Sequence, residues 1–171
     1  MQGYVQVYTG DGKGKTTAAL GLALRAAGAG LKVYIGQFIK SAAYSEIKAL
    51  ARFSGQITLE QFGRGCFIRG TPCQADIDAA QQGMAALRKA LLSGDFDLII
   101  ADEANVAFGC ALVTADDLLS LLDARRPETE LVFTGRNAPQ ALIERADLVT
   151  EMREVKHYFQ HGVLAREGIE K

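Results

Sequence analysis

The residues that promise chemistry come first along the chain. Thr9-Gly10-Asp11-Gly12-Lys13-Gly14-Lys15-Thr16-Thr17 alternates glycines with polar and charged residues. Glycines at 10, 12 and 14 let the backbone curl until successive N–H groups face one anion. A helix starting near Lys15 would add the positive end of its dipole. Lys15 then offers a cation to phosphate oxygens, and the hydroxyl of Thr16 or Thr17 can reach a magnesium ion. The usual spacing G-x-x-x-x-G-K-[ST] would put glycine at position 9, where this chain has Thr9, with Gly10 one residue late. The plain alternative is a glycine-rich connection that binds nothing. The G-K-T-T run between an expected strand and an expected helix argues against it. Lys13 lies inside the glycine loop and is expected on phosphate, with solvent as its other destination.

A second group follows the apolar run Leu98-Ile99-Ile100-Ala101, which ends in Asp102-Glu103. A carboxylate at a strand end can hold magnesium directly or through a water, so Thr16, Asp102 and Glu103 form the expected metal set. Glu103 has two further readings, a second ligand or a general base for water. A third group is Thr134-Gly135-Arg136-Asn137-Ala138-Pro139, again after an apolar stretch. Arg136 presents a planar fork suited to phosphate, and Asn137 presents amide groups suited to ribose or base. Gly, Asn and Pro are also ordinary turn residues, so a simple turn stays open here. His157 and His161 stand four apart, but no third ligand accompanies them and Gly162 discourages a helix, so a zinc site is not expected.

These groups need elements to hold them. Strands are expected at 5–8, 32–38, 57–62, 96–101, 130–133 and 147–152. Helices are expected at 15–27, 45–53, 74–92, from Thr114 onward, and at 139–145. Ile77, Ala80, Met84, Leu87 and Leu91 carry the helical spacing of the third, and Gly94 is placed to stop it. Thr114 with Asp116 and Asp117 forms a helix start. Strand and helix alternate, which implies an α/β chain with a mostly parallel sheet and helices on both faces. Ligands in that architecture sit beyond the carboxyl ends of the strands, where all three groups fall.

The bulk numbers agree. At 171 residues the chain suits one domain, 1–171, with a core of its own. A net charge of −1 gives no reason to expect nucleic acid or an anionic membrane as partner. No apolar run approaches the roughly 20 residues of a membrane helix, and no leader pattern opens the chain. Three cysteines without a CxxC pair argue against a disulfide framework or zinc ribbon, and a cytoplasmic location is expected.

Together the segments resemble the ATP:corrinoid adenosyltransferases. The resemblance runs nearly end to end and is carried by T-G-D-G-K-G-K-T-T (9–17), Q-F-I-K (37–40), D-E-A-N (102–105), F-T-G-R-N-A-P (133–139), A-D-L-V-T-E-M (146–152), K-H-Y-F (156–159) and G-I-E (168–170). The shifted first glycine is a habit of that family. The resemblance implies a single three-layer domain of the P-loop NTPase, RecA-like class. It also implies transfer of the 5′-deoxyadenosyl group of ATP to the Co(I) of a reduced corrinoid, with triphosphate released, in cobalamin biosynthesis or salvage. ATP is expected in reversed orientation, its terminal phosphate deepest. Gly10, Asp11, Gly12, Lys13, Gly14, Lys15, Thr16 and Thr17 would cradle phosphate, Arg136 and Asn137 would contact nucleotide, and Lys15, Thr16 and Glu103 would carry catalysis with Mg2+.

Where better-known members have G-x-G-F-T-W, this chain has Gly63-Arg64-Gly65-Cys66-Phe67-Ile68, so Phe67 and Ile68 become the expected apolar wall for the corrinoid, or else packing residues. A homodimer and a reductase supplying electrons are the expected protein partners. The competing functions are a generic P-loop NTPase or small-molecule kinase, and a nucleotide-sensing module without turnover.

Overall fold

The computed structural model describes every residue except Met1, Ala43, residues 66–69 and Lys171. Its six strands are β1 (Val5–Thr9), β2 (Val33–Phe38), β3 (Ile57–Phe62), β4 (Leu98–Asp102), β5 (Glu130–Thr134) and β6 (Leu148–Glu151). They form one sheet in the order β3-β2-β4-β5-β1-β6. Every pairing is parallel, so the expected mostly parallel sheet is wholly so. The helices are α1 (Lys15–Gly28), α2 (Ser45–Leu50), α3 (Gln74–Ser93), α4 (Ala104–Gly109), α5 (Ala115–Ala124) and α6 (Gln140–Arg145).

Alternation along the strands divides the apolar residues between two faces. Leu98 and Ile100 of β4 pack with Ala19 and Ala23 of α1 and Leu50 of α2. Ile99 and Ala101 pack the other way, against Leu87 of α3 and Leu121 of α5. All five residues of β4 are buried, which explains its unbroken apolar run. Helices therefore cover both faces, the expected three layers.

The local start and stop signals act as the sequence implies. Thr114 Oγ1 accepts from the Asp117 amide at 3.1 Å while Asp117 Oδ2 accepts from the Thr114 amide at 2.7 Å, closing a capping box on α5. Gly94 ends α3 in the left-handed region with φ 76°. Several boundaries differ. The helix expected over 45–53 stops at Leu50 and tightens into a 3-10 turn at Ala51–Phe53. β4 starts at Leu98 rather than 96, because Phe96 leaves the strand line to set its ring 5.3 Å from that of Tyr34, and the Asp97 carboxylate accepts from the Lys32 amide at 2.8 Å. α4 and a 3-10 turn at Tyr158–His161 had no periodic signal and emerge only in the fold.

Candidate active site at the carboxyl edge of the sheet

The strand order sets the geometry. β1 and β4 flank β5, so the loop after β1 and the acids after β4 open onto the same sheet edge with Thr134 between them. Gly10 (φ 89°) and Gly14 (φ 119°) take backbone conformations that favour glycine, and Gly14 is the residue from which α1 starts. Gly12 is needed for a different reason. A Cβ there would lie 2.7 Å from the Met152 carbonyl oxygen, which accepts from the Gly12 amide at 2.6 Å. The segment leaving β6 thus buttresses the loop, and the Met152 sulfur lies 3.1 Å from where a Cβ on Gly14 would be.

Lys15 folds back over this loop. Its Nζ donates to the carbonyls of Gly10 at 2.6 Å and Gly12 at 2.7 Å. Burial and then the nearby Arg136 guanidinium push its ammonium below the ordinary lysine range, against the pull of Glu103 and Asp11. A lysine so placed already occupies the position from which it can meet an anion in the loop.

Asp102 is fully buried and accepts from four side chains. Thr16 Oγ1 at 2.9 Å and Thr134 Oγ1 at 2.7 Å reach its Oδ1. Gln37 Nε2 at 3.0 Å and Lys40 Nζ at 2.9 Å reach its Oδ2. Glu103 follows with φ 60°, its amide donating to Thr134 Oγ1 at 2.9 Å. Burial and the adjacent Asp102 charge raise the Glu103 carboxyl above its usual range, with Lys40, Lys15 and Arg136 opposing the shift.

The third group closes over the loop from the β5 side. Arg136 Nη2 donates to the Asp11 carbonyl at 3.5 Å, and its Nε lies 3.8 Å from Asp11 Oδ1. Gly135 N donates to the Tyr8 carbonyl at 3.1 Å, and the buried Asn105 donates from Nδ2 to the Gly135 carbonyl at 3.2 Å. That bond accounts for Asn105 in the D-E-A-N motif. Asn137 is exposed beside Arg136 with φ 57°.

The fold therefore gathers Gly10–Thr17, Asp102, Glu103 and Arg136. Of the two threonines Thr16 pairs with β4, while Thr17 is exposed. Lys13 is exposed and donates to the Ile169 carbonyl at 3.1 Å, tying the loop to the tail. Phe67 and Ile68 lie outside the described residues. His157 Nδ1 accepts from the Phe159 amide at 3.1 Å, a local turn contact. Among the described residues no three His, Cys, Asp or Glu are gathered as a metal cage. No described helix is long and apolar enough to cross a membrane. Sequence reasoning did not single out Gln37, Lys40, Thr134 or Met152 as site residues. Each lies in a segment that carries the family resemblance, and Gln37, Thr134 and Met152 stand at or just beyond strand ends.

Comparison with known proteins agrees with this arrangement. The family model described as ATP:corrinoid adenosyltransferase BtuR/CobO/CobP matches residues 1–170. The corrinoid adenosyltransferase of Pseudomonas aeruginosa is 36% identical over 99% of this chain and 84% of its own length. That of Escherichia coli K12 is 31% identical over 99% of this chain and 86% of its own. Among solved structures, the flagellar accessory protein FlaH from Methanocaldococcus jannaschii superposes with a TM-score of 0.59, covering 88% of this chain and 71% of that one. At 14% identity it speaks for the fold alone. A match along the whole length, with the phosphate loop and the acids meeting at one sheet edge, places this chain in the ATP:corrinoid adenosyltransferase family.

Proposed function

We propose that this protein transfers the 5′-deoxyadenosyl group of ATP to the cobalt of a reduced corrinoid and releases triphosphate. The observation that carries the proposal is the phosphate loop joined to Asp102 by the Thr16 hydroxyl across β5, within a chain that belongs to the family throughout. The Co(I) electron pair attacks C5′ of ATP and forms the cobalt–carbon bond. The C5′–oxygen bond breaks, its electrons stay on the departing triphosphate, and cobalt is formally oxidised to Co(III). The nucleophile belongs to the corrinoid, so no side chain has to attack.

The protein's work is to hold the leaving group and stabilise its growing charge. With ATP reversed in the loop, the amides of residues 10–17 and the α1 amino terminus grip the polyphosphate. Lys15 turns from the carbonyls of Gly10 and Gly12 to phosphate oxygens. Arg136 and Asn137 close over the nucleotide from the β5 side.

Magnesium fits the oxygen donors present. Thr16 and Glu103 would hold it together with phosphate oxygens and water, a set suited to an ion that keeps several waters. Bound there, it would neutralise triphosphate charge. Both Asp102 oxygens already accept from two donors each, so its part is to orient the Thr16 hydroxyl and leave that oxygen's lone pairs to the metal. Phe67 and Ile68 are proposed as the apolar wall against the corrinoid.

The protein partners follow from the same reading. Apolar side chains exposed along β6 and the tail, Leu148, Val149, Phe159 and Leu164, offer a surface for pairing two chains, and an external reductase supplies electrons to cobalt. Sedimentation measures the pairing. The decisive assay is anaerobic, with ATP, Mg2+ and chemically reduced cobalamin. A cobalt–carbon product in the visible spectrum with stoichiometric triphosphate supports adenosyl transfer. Release of ADP instead would identify an NTPase or kinase.

A further inference from the structure

Lys40 occupies a place that its sequence position did not announce. Its Nζ lies 2.9 Å from Oδ2 of the fully buried Asp102. The backbone that delivers it is strained. The Lys40 amide donates to the Phe38 carbonyl at 2.7 Å across Ile39, a β-branched residue at φ 65° in a three-residue turn. Ile39 in turn requires glycine opposite, because a Cβ on Gly63 would lie 2.3 Å from the Ile39 carbonyl carbon. Strain of this kind persists only where the surroundings over-determine it.

Charges of both signs meet around the loop. Lys15, Lys40 and Arg136 face Asp11, Asp102 and Glu103, with Lys40 on Asp102 and Arg136 near Asp11. A divalent cation arriving alone finds the buried acid already compensated. A polyphosphate in the loop changes that by bringing several negative charges of its own.

We propose that Lys40 is the resident counter-cation of Asp102 and makes divalent-metal binding conditional on nucleotide, so that metal and polyphosphate enter together. This deepens the metal placement proposed above and rests on it. Without the Lys40 charge, Asp102 is a buried, uncompensated carboxylate, and a divalent ion beside Thr16 and Glu103 becomes its substitute.

The test is Mn2+ binding, followed as metal retained with the protein in equilibrium dialysis at matched free Mn2+, with and without ATP and with no corrinoid present. Wild type and Lys40→Arg should bind Mn2+ only with ATP. Lys40→Met and Lys40→Gln should bind it without nucleotide at least tenfold more tightly than wild type, and Mg2+ alone should raise their melting temperatures. Adding Asp102→Asn to Lys40→Gln should remove the gain. The inference is overturned if folded neutral variants gain no affinity, if the gain survives Asp102→Asn, or if wild type binds Mn2+ equally well without ATP. Wild type that takes no Mn2+ even with ATP overturns the metal placement itself, and the role of Lys40 with it.

Discussion

The hydroxyl of Thr16 donates to the buried carboxylate of Asp102 at 2.9 Å. This bond joins the first turn of α1 to the end of β4 although β5 lies between β4 and β1. It makes the phosphate loop and the acidic strand end one unit, and the consequences of breaking that unit can be measured.

Lys15→Ala removes the cation folded over Gly10 and Gly12. Because Lys15 bonds to loop carbonyls rather than to the core, the fold should survive, as circular dichroism would report. Adenosyl transfer, measured as kcat/KM for ATP, should fall by about 10²-fold or more, the scale of losing a preorganised electrostatic partner. Turnover equal to wild type would remove Lys15 from the mechanism.

Thr134→Val keeps the shape at the end of β5 but loses the hydroxyl that donates to Asp102 and accepts from the Glu103 amide. The Glu103 amide loses its partner and Asp102 one of four donors. A stability loss of about 1–3 kcal/mol is expected in denaturant melts. Activity should fall with it and return with Thr134→Ser. If valine and serine behave alike, the hydroxyl has no positioning role.

Glu103 should trade stability against activity. Its carboxyl is raised in the folded state, so its contribution to stability is full below the ordinary carboxylate range and is lost as pH rises through the raised value. At neutral pH the charged form therefore opposes folding. Glu103→Gln should raise the melting temperature of the nucleotide-free protein at pH 7, on a scale of about 2–4 °C per kcal/mol. The difference should fade on acidification, while adenosyl transfer is lost. A lower melting temperature for the variant at pH 7 would contradict this account.

The tail has its own pH signature. The Glu170 carboxyl is held down to about 2 by hydrogen bonds from Arg166 and then Tyr158, and Arg166 also stacks 5.1 Å from the Tyr158 ring centre. A depressed carboxylate contributes above its ordinary pKa of 4.5 and ceases to as pH falls through the folded value. The Tyr158 ring resonances should therefore stay unchanged through pH 4.5 and move only as pH falls through about 2, and Glu170→Gln should lack that transition.

Much of this protein was legible before any fold was known. The loop over 9–17 could be read because a backbone nest imposes local demands, glycine at 10 and 14 for their positive φ and a helix start immediately after. α3 was legible through its 3.6-residue spacing. α4 was not, because six residues hardly complete a periodic pattern, and it is held in place by the buried Asn105 and its bond to Gly135. Gly83 within α3 marks a close contact, since a Cβ there would lie 2.8 Å from the ring of Phe38.

Sequence alone determined the strands and the longer helices, the glycine loop and the acids, because each depends on neighbours within a few residues. Which side chains surround Asp102 was decided only by tertiary structure. Gln37, Lys40, Thr16 and Thr134 come from β2, the turn after it, α1 and β5, and they converge because the strand order β3-β2-β4-β5-β1-β6 sets non-consecutive strand ends side by side. That order reflects how whole faces bury against one another, and local spacing carries no record of it.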